Sequence, residues 1–376
     1  MKGRDLRNLI VESLLQQGFG IHGSRLSPPE HLDKDAVRQI HSVAVEHRIE
    51  CARGRLQRHE SLLLPRIANG SEVAPARIAP RLIEVRRGSQ DEVLFRYVGL
   101  HWSIPVSSGY GRRLRFLVVD EHNGKLIGIL GLGDPVYSVA ARDGWIGWSR
   151  RARRQRLRHV MDAYVLGAVP PYSYLLCGKL VAMLAASDEV RSAFRRKYRG
   201  SRSCIARKRF DGRLALLTTT SALGRSSIYN RLTLEGRLVY QSVGFTRGSG
   251  DFHFLNGTYE VVREYADRFC EPTAKQEAWG TGFRNRREVV KKCLAQVGLS
   301  TEWLYHGIER EVFVIPLARN TPEFLRGDHS RLLWYRQSTQ DMFAWFRERW
   351  LLPRAERVPT YAGFDREEYR IWQKPR

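Results

Sequence analysis

Residues 113–134 read RLRFLVVD, then EHNG, then KLIGILGLGD. Two apolar runs around Asn123-Gly124 predict a β-hairpin, because the tight turns that match strand twist need residues tolerant of positive φ. That pair is the seed of a sheet, and the patterns around it supply the rest. WIGW and a basic run follow it, then VMDAYVLGAVPP as a buried strand and YSYLLCGKLVAMLAAS as a loop passing into a helix. DEVRSAFRRKYRG predicts a second helix whose acidic start suits the helix dipole. RLALLTTTS and LVYQSVGFT read as further strands, and TYEVVREYADRF as a helix. Alternation of this kind predicts an α/β (α+β) fold with a mixed sheet.

Ahead of the hairpin, Leu6, Leu9, Ile10 and Leu14 recur at helical spacing, and Val37, Ile40, Val43 and Ala44 share one face of a long second helix. Residues 1–64 are therefore expected to form a helical module, a grip for a partner or DNA, or equally a brace on the main domain. Pro65, Pro75 and Pro80 mark residues 65–80 as a linker. Residues 81–270 hold the core, and 271–376 an aromatic and basic C-terminal extension packed on it.

Composition limits the function classes. With 43% hydrophobic residues the chain can bury a core, while 63 Lys+Arg against 39 Asp+Glu leave it at +24. A surplus this large points to nucleic acid as the partner, its strandedness open, against the alternative of an arginine-rich proteome. Cys51, Cys177, Cys204, Cys270 and Cys293 are scattered and nowhere form C-x-x-C, which predicts a reducing cytoplasm without a disulfide framework or cysteine zinc site. No run approaches ~18 apolar residues, so no membrane span is expected.

Two families are resembled. The order of hairpin, strand, loop-helix, strand and closing strand resembles the GNAT acyltransferases, and LVYQSVGF is similar to their Y-x-x-x-G-F signature at Tyr240, Gly244 and Phe245. That resemblance implies a GNAT-like core. Where such enzymes carry a Q/R-x-x-G-x-G/A pyrophosphate loop, this chain has YSYLLCGK with Gly178 alone, so acetyl-CoA is an unlikely cofactor. The blocks RFLVVDEHNGKLIGILGLGDPV, RDGWIGW, TTTSALGRSSIYNRL and HGIEREVFVIPLARNTPEFLRG resemble the DruA family, named from the Druantia anti-phage defence system, with transposase-like relatives on mobile elements. This implies a bacterial, DNA-directed role in defence or mobility. The protein would then be a strand-cleaving or strand-joining enzyme, or a non-catalytic subunit that recruits a helicase or nuclease.

Candidate residues follow from these expectations. SRRARRQRLRH places Arg150, Arg151, Arg153, Arg154, Arg156 and Arg158 where they would surround a helix axis and meet phosphates. A second basic run spans Arg195 to Arg209, with Tyr198 available to stack on a base, and tryptophans interleave with arginines in the C-terminal third. In TTTSALGRSSIYNRL, Arg225, Ser226, Ser227 and Arg231 form a candidate anion site. Tyr229 between those arginines is a candidate nucleophile, its pKa expected to be lowered by them, against the plainer reading of a packed ring. His253 would then serve as acid or base, or as a metal ligand beside Asp251. A second scheme uses strand-end carboxylates, Asp134 and Asp143 foremost with Asp120 and Asp162, as ligands of Mg²⁺. Carboxylates at strand ends are more often turn formers and caps.

Overall fold

In the computed structural model the residues described are 2–106, 111–202, 209–272, 279 and 283–372. The chain begins with α1 (Gly3–Gln16), which buries Leu6, Ile10 and Leu14 along one stripe. α2 (Lys34–Leu56) starts where the Asp33 carboxylate accepts from the backbone N–H groups of Asp35 and Ala36. β1 (Pro80–Glu84) and α3 (Gln90–Val98) lead to the hairpin, β2 (Arg113–Asp120) and β3 (Lys125–Gly133). Its turn closes through Gly124, at φ +71°, whose N–H reaches the carbonyl of Asp120. The Asp120 carboxylate is wholly buried and accepts from Ala79 N, His122 N and the Tyr172 hydroxyl. It organises the turn, the structural role that a strand-end aspartate most often has.

Two short helices follow, α4 (Ala140–Ile146) and α5 (Arg150–Arg156), then the central strand β4 (Val160–Ala168). After β4 come α6 (Cys177–Leu184), α7 (Asp188–Tyr198), β5 (Leu216–Thr220), β6 (Gln241–Phe245), α8 (Thr258–Phe269), α9 (Phe283–Gln296), β7 (Glu311–Pro316), α10 (Thr321–Arg326) and α11 (Thr339–Phe346). The strands form one seven-stranded sheet in the order β1-β2-β3-β4-β5-β7-β6. All neighbours are antiparallel except β4 and β5, which run parallel over Val160–Leu216, Met161–Leu217 and Asp162–Thr218. The predicted mixed sheet is therefore present.

Alternation along β2 sets the layers. Leu114, Phe116 and Val118 face α6 and α7, whose Leu180, Val181, Val190 and Phe194 complete that core. Leu117 and Val119 face the opposite side, with Leu56 of α2 and Leu94, Phe95 and Val98 of α3. α1 belongs elsewhere: Leu6, Ile10 and Leu14 pack with Val262 of α8 and Val289, Val290 and Leu294 of α9.

Two expected boundaries differ from this arrangement. β7 lies between β5 and β6, so the sheet itself takes a strand from beyond residue 270, where an extension packed on the core was expected. Residues 65–80 were expected to link, yet Ile67, Ala68, Val73 and Ile78 are buried and Gly70 N–H bonds to the Phe364 carbonyl. The prolines there shape packed turns, because the apolar residues between them outweigh their breaker character.

The segment that ends at Trp372 is anchored by Glu60, which is 2% exposed. Its carboxylate accepts from the Tyr97 hydroxyl at 2.9 Å, Ile371 N at 2.7 Å and Trp372 N at 3.2 Å. Replacing Glu60 with alanine orphans those donors, so Glu60→Ala should lower unfolding stability by about 3 kcal/mol in urea titration. A loss under about 1 kcal/mol would show that water reaches the site.

Candidate nucleic-acid interface

The first basic run folds as α5, capped by the Ser149 side chain accepting from Ala152 N. Its arginines divide into two sets. Arg150, Arg151 and Arg154 are exposed and make no ion pair among the described residues. Arg153 bonds Asp143 at 2.8 Å and lies 4.7 Å over Tyr137, Arg156 lies 4.8 Å over Phe324, and Arg158 lies 5.4 Å over Phe210. Three of the six arginines thus face solvent, and three are part of the fold.

The second run ends α7. Val190, Ala193 and Phe194 turn inward, leaving Arg195 and Arg199 exposed; beyond the turn, Arg209 is exposed as well. Residues 203–208 of that run, Cys204 among them, lie outside the described residues. Between α7 and the start of β5 opens a cavity of about 780 Å³, lined by Arg191, Arg195, Arg199, Arg209, Arg213 and Trp334. Arg191 bonds Asp188 at 2.8 Å and covers Trp334 at 4.3 Å, while Arg213 pairs with Asp211 at 2.6 Å. Arg195, Arg199 and Arg209 have no carboxylate partner among the described residues. A second hollow of about 550 Å³ shares Trp334 and adds Arg237, Arg319, Tyr335 and Arg336, with Arg237 stacked 3.9 Å over Tyr335. The two basic runs meet here, because Arg158 donates to the Arg209 carbonyl at 3.2 Å and covers Phe210 at the cavity wall. Tyr198, offered as a stacking platform, instead donates its hydroxyl to the Arg113 carbonyl and is covered by Arg112 at 5.7 Å.

The candidate carboxylates are held by arginines. Asp134 accepts from Arg112 Nε at 2.7 Å and from its backbone N at 3.0 Å. Asp143 accepts from Arg142, Arg153, Ser138 and Val139 N. Burial works against its charge, but the Arg142 and Arg153 guanidinium groups outweigh it, and its pKa lies below the usual value. Asp162 differs: it accepts one bond, from Thr218 Oγ1 at 2.7 Å, and burial raises its pKa to about 6 despite that bond and Arg142 nearby. Asp251 accepts from Arg286 Nε at 3.0 Å. Among the described residues no three His, Cys, Asp or Glu side chains gather as a metal ion would require.

The TTTSALGRSSIYNRL stretch turns back onto the sheet. Ser226 N and Asn230 Nδ2 donate to Glu311 Oε2, and Ser242 Oγ to Glu311 Oε1 at 2.7 Å. The backbone N–H that an anion would use at Ser226 is thus taken by a carboxylate, while Arg225, Ser227 and Arg231 stay exposed. Tyr229 stacks on Tyr240 at 4.6 Å and meets Phe313 edge-on. Burial pushes its phenol up to about 12, opposite to the expected lowering by Arg225 and Arg231.

His253 is fully buried, its Nε2–H donating to the Trp303 carbonyl at 2.9 Å. It stands in a cluster with His306, 5.5 Å away between ring centres, and with Phe252, which His41 and Arg310 also cover. His253 and Asp251 were expected to work together, yet each is bound to a different partner. The sequence reading missed Arg112, which joins the hairpin to both basic runs, and the participation of Arg191 and Arg213. Only the Arg112-Arg113 pair at the start of β2 could have signalled the first.

Fold and surface define an arginine-rich α/β protein with a mixed seven-stranded sheet and a basic groove. The model of the family described as Druantia protein DruA matches residues 31–327. A curated Druantia protein DruA of Escherichia coli (strain UMEA 4076-1) is 39% identical over 369 residues, covering 98% of this chain and 89% of its own length. The chain belongs to the DruA family. No solved structure matches it, and no helix among the described residues is long and apolar enough to cross a membrane.

The buried histidines give a signed pH dependence. Burial lowers His253 to about 4, His41 to about 3 and His306 to about 2, with Arg310 adding to the effect on the last two. Above pH ~6.5 these rings are neutral folded and unfolded, and stability has no slope from them. Below it the unfolded chain takes up protons that the folded chain refuses, so stability falls by ~1.4 kcal/mol per histidine per pH unit. Asp162, with its raised value of about 6, acts in the opposite sense, but singly. The melting temperature should drop clearly from about pH 7.5 to about pH 5; equal values would mean these rings are charged in the folded protein.

Proposed function

We propose that this DruA-family protein binds DNA through the arginine groove and serves phage defence as a DNA-directed subunit that brings a helicase or nuclease to its target. The observation that carries this reading is the meeting of the two basic runs at Phe210, around three guanidinium groups without a carboxylate partner among the described residues. Arginines without ion pairs among the described residues, with Trp334 in the same cavity wall, suit phosphates with unpaired bases beside them. Binding rather than cutting is favoured because the best candidate groups are committed. Asp134 and Asp143 bond arginines, Tyr229 is a neutral packed phenol, and His253 is sealed in a core.

A GNAT-like core is part of the same proposal, supported by a hairpin, a central strand, a loop-helix and a parallel strand in succession. The loop after β4 argues against acetyl-CoA. Its N–H groups at Ser173, Tyr174 and Leu176 bond to the carbonyls of Val169, Pro171 and Ser173, leaving none of the three for a pyrophosphate.

Mobility-shift titration of labelled single- and double-stranded DNA tests the groove. Arg195→Ala/Arg199→Ala/Arg209→Ala should weaken binding by at least an order of magnitude and reduce the duplex salt slope by about 0.9 per arginine that engages a phosphate. Tyr229→Phe should shift DNA as the wild type does, and a denaturing gel with Mg²⁺ should show intact strands before and after protease. Absence of any shift at low salt would end the DNA reading. A protein–DNA adduct lost in Tyr229→Phe would replace recruitment by covalent nicking.

A further inference from the structure

The sheet face turned away from α6 and α7 carries a second kind of hollow. A cavity of about 420 Å³ lies between α2, α3 and the open end of β2. Leu56, Phe95 and Leu100 wall it, and Tyr164 of β4 forms its floor. That ring lies flat across β3 because Gly131 and Gly133 leave it room; a Cβ on Gly131 would stand 2.6 Å from it. Burial pushes the Tyr164 phenol up to about 12, so the hydroxyl stays neutral and can donate or accept.

Five arginines, Arg48, Arg55, Arg96, Arg113 and Arg115, line the same space. Glu92 is shared by two of them, accepting from Arg96 at 2.9 Å and from Arg115 at 2.8 Å. Arg48 and Arg55, projecting from α2, have no ion-pair partner among the described residues, and Arg48 is half-buried at the cavity wall. Two guanidinium groups without a carboxylate beside the hollow leave its positive charge open to an anion. The space exceeds what inorganic phosphate needs and falls within the range of small-molecule sites, which begin at roughly 300 Å³. An aromatic floor with aliphatic walls suits a flat heterocycle, and planar guanidinium groups suit phosphate oxygens.

We propose that this cavity is a nucleotide site, with the phosphates on Arg48 and its neighbouring arginines and the base against Tyr164 and the Leu56 and Leu100 walls. It is separate from the DNA groove, which lies by α7 on the other face, and does not depend on that groove binding DNA.

Calorimetric titration of the full chain with ATP, ADP, AMP and inorganic phosphate tests it. At least one nucleotide should bind with a stoichiometry of one, more tightly than phosphate, and Arg48→Ala should weaken it by about tenfold or more. Arg195→Ala/Arg199→Ala should leave nucleotide binding unchanged. Melting curves accompany each variant, and if Arg48→Ala melts early, Arg48→Gln, which removes the charge but keeps most of the aliphatic stem, makes the same comparison. The proposal is overturned by any of four results: no heat from any nucleotide at millimolar concentration, phosphate binding as tightly as nucleotide, folded Arg48 variants binding like wild type, or loss of binding in the groove variant.

Discussion

One guanidinium holds the basic surface together. Arg112 donates through Nε to Asp134, through its terminal nitrogens to the Arg158 and Val160 carbonyls, and through its backbone N–H to Asp134 again. Its flat face lies within 6 Å of the rings of Phe194, Tyr198 and Phe210. The start of β2, the end of β3, the joint between α5 and β4, and the end of α7 therefore share one anchor. No other side chain could do this: five N–H donors in a rigid plane serve carboxylate and carbonyls at the edge while the face covers aromatic rings. Lysine offers a point charge and no plane. The preceding residue has to be glycine, because Gly111 sits at φ +68° and a Cβ there would lie 2.0 Å from Asp134 Oδ2.

This anchor explains how much of the molecule was legible in its residues. The hairpin, α1, α7 and α8 follow local periodicities, and each signal lies within a single element. The place of β7 between β5 and β6 does not, since Val312–Thr220 and Val314–Gln241 pairings join segments some 70 to 90 positions apart, and no local pattern encodes which strand an apolar run will join. The 65–80 segment misled because prolines are conspicuous, whereas the packing of Ile67, Ala68, Val73 and Ile78 is decided by partners elsewhere.

The site was half legible for a related reason. Two basic runs were visible as charge, but which arginines remain free depends on distant partners: Asp143 for Arg153, Phe324 for Arg156, Phe210 for Arg158. The same long-range pairing removes Asp134 and Asp143 from the pool of free carboxylates. A net charge of +24 thus contains two populations, arginines that hold aromatic rings and acids in place and arginines that face solvent. Ion pairing with acids cancels the charge of some of the first population, while the second, Arg150, Arg151, Arg154, Arg195, Arg199 and Arg209 among it, faces solvent beside α5 and α7.

The stretch that follows β5 shows what happens where the parallel ladder stops. β4 and β5 share three residue pairs and no more, so beyond Thr218 the two strands leave a gap that water or protein must fill. Thr219 bridges its start by donating Oγ1 to the Ala163 carbonyl at 2.8 Å. The chain then turns at the buried Ser221, whose N–H bonds the Glu311 carbonyl, and Tyr229 slots against Tyr240 and Phe313. Lys179 near the start of α6 donates to the Ile228 carbonyl at 3.3 Å, and Ile228 lies close to Gly178. Hydroxyls and arginines at this strand end thus surround a segment folded inward over the start of α6. Its polar groups satisfy the backbone of a plug, while Arg225 and Arg231 are left at the surface because the plug has no acid to spare for them once Glu311 has taken Ser226, Asn230 and Ser242.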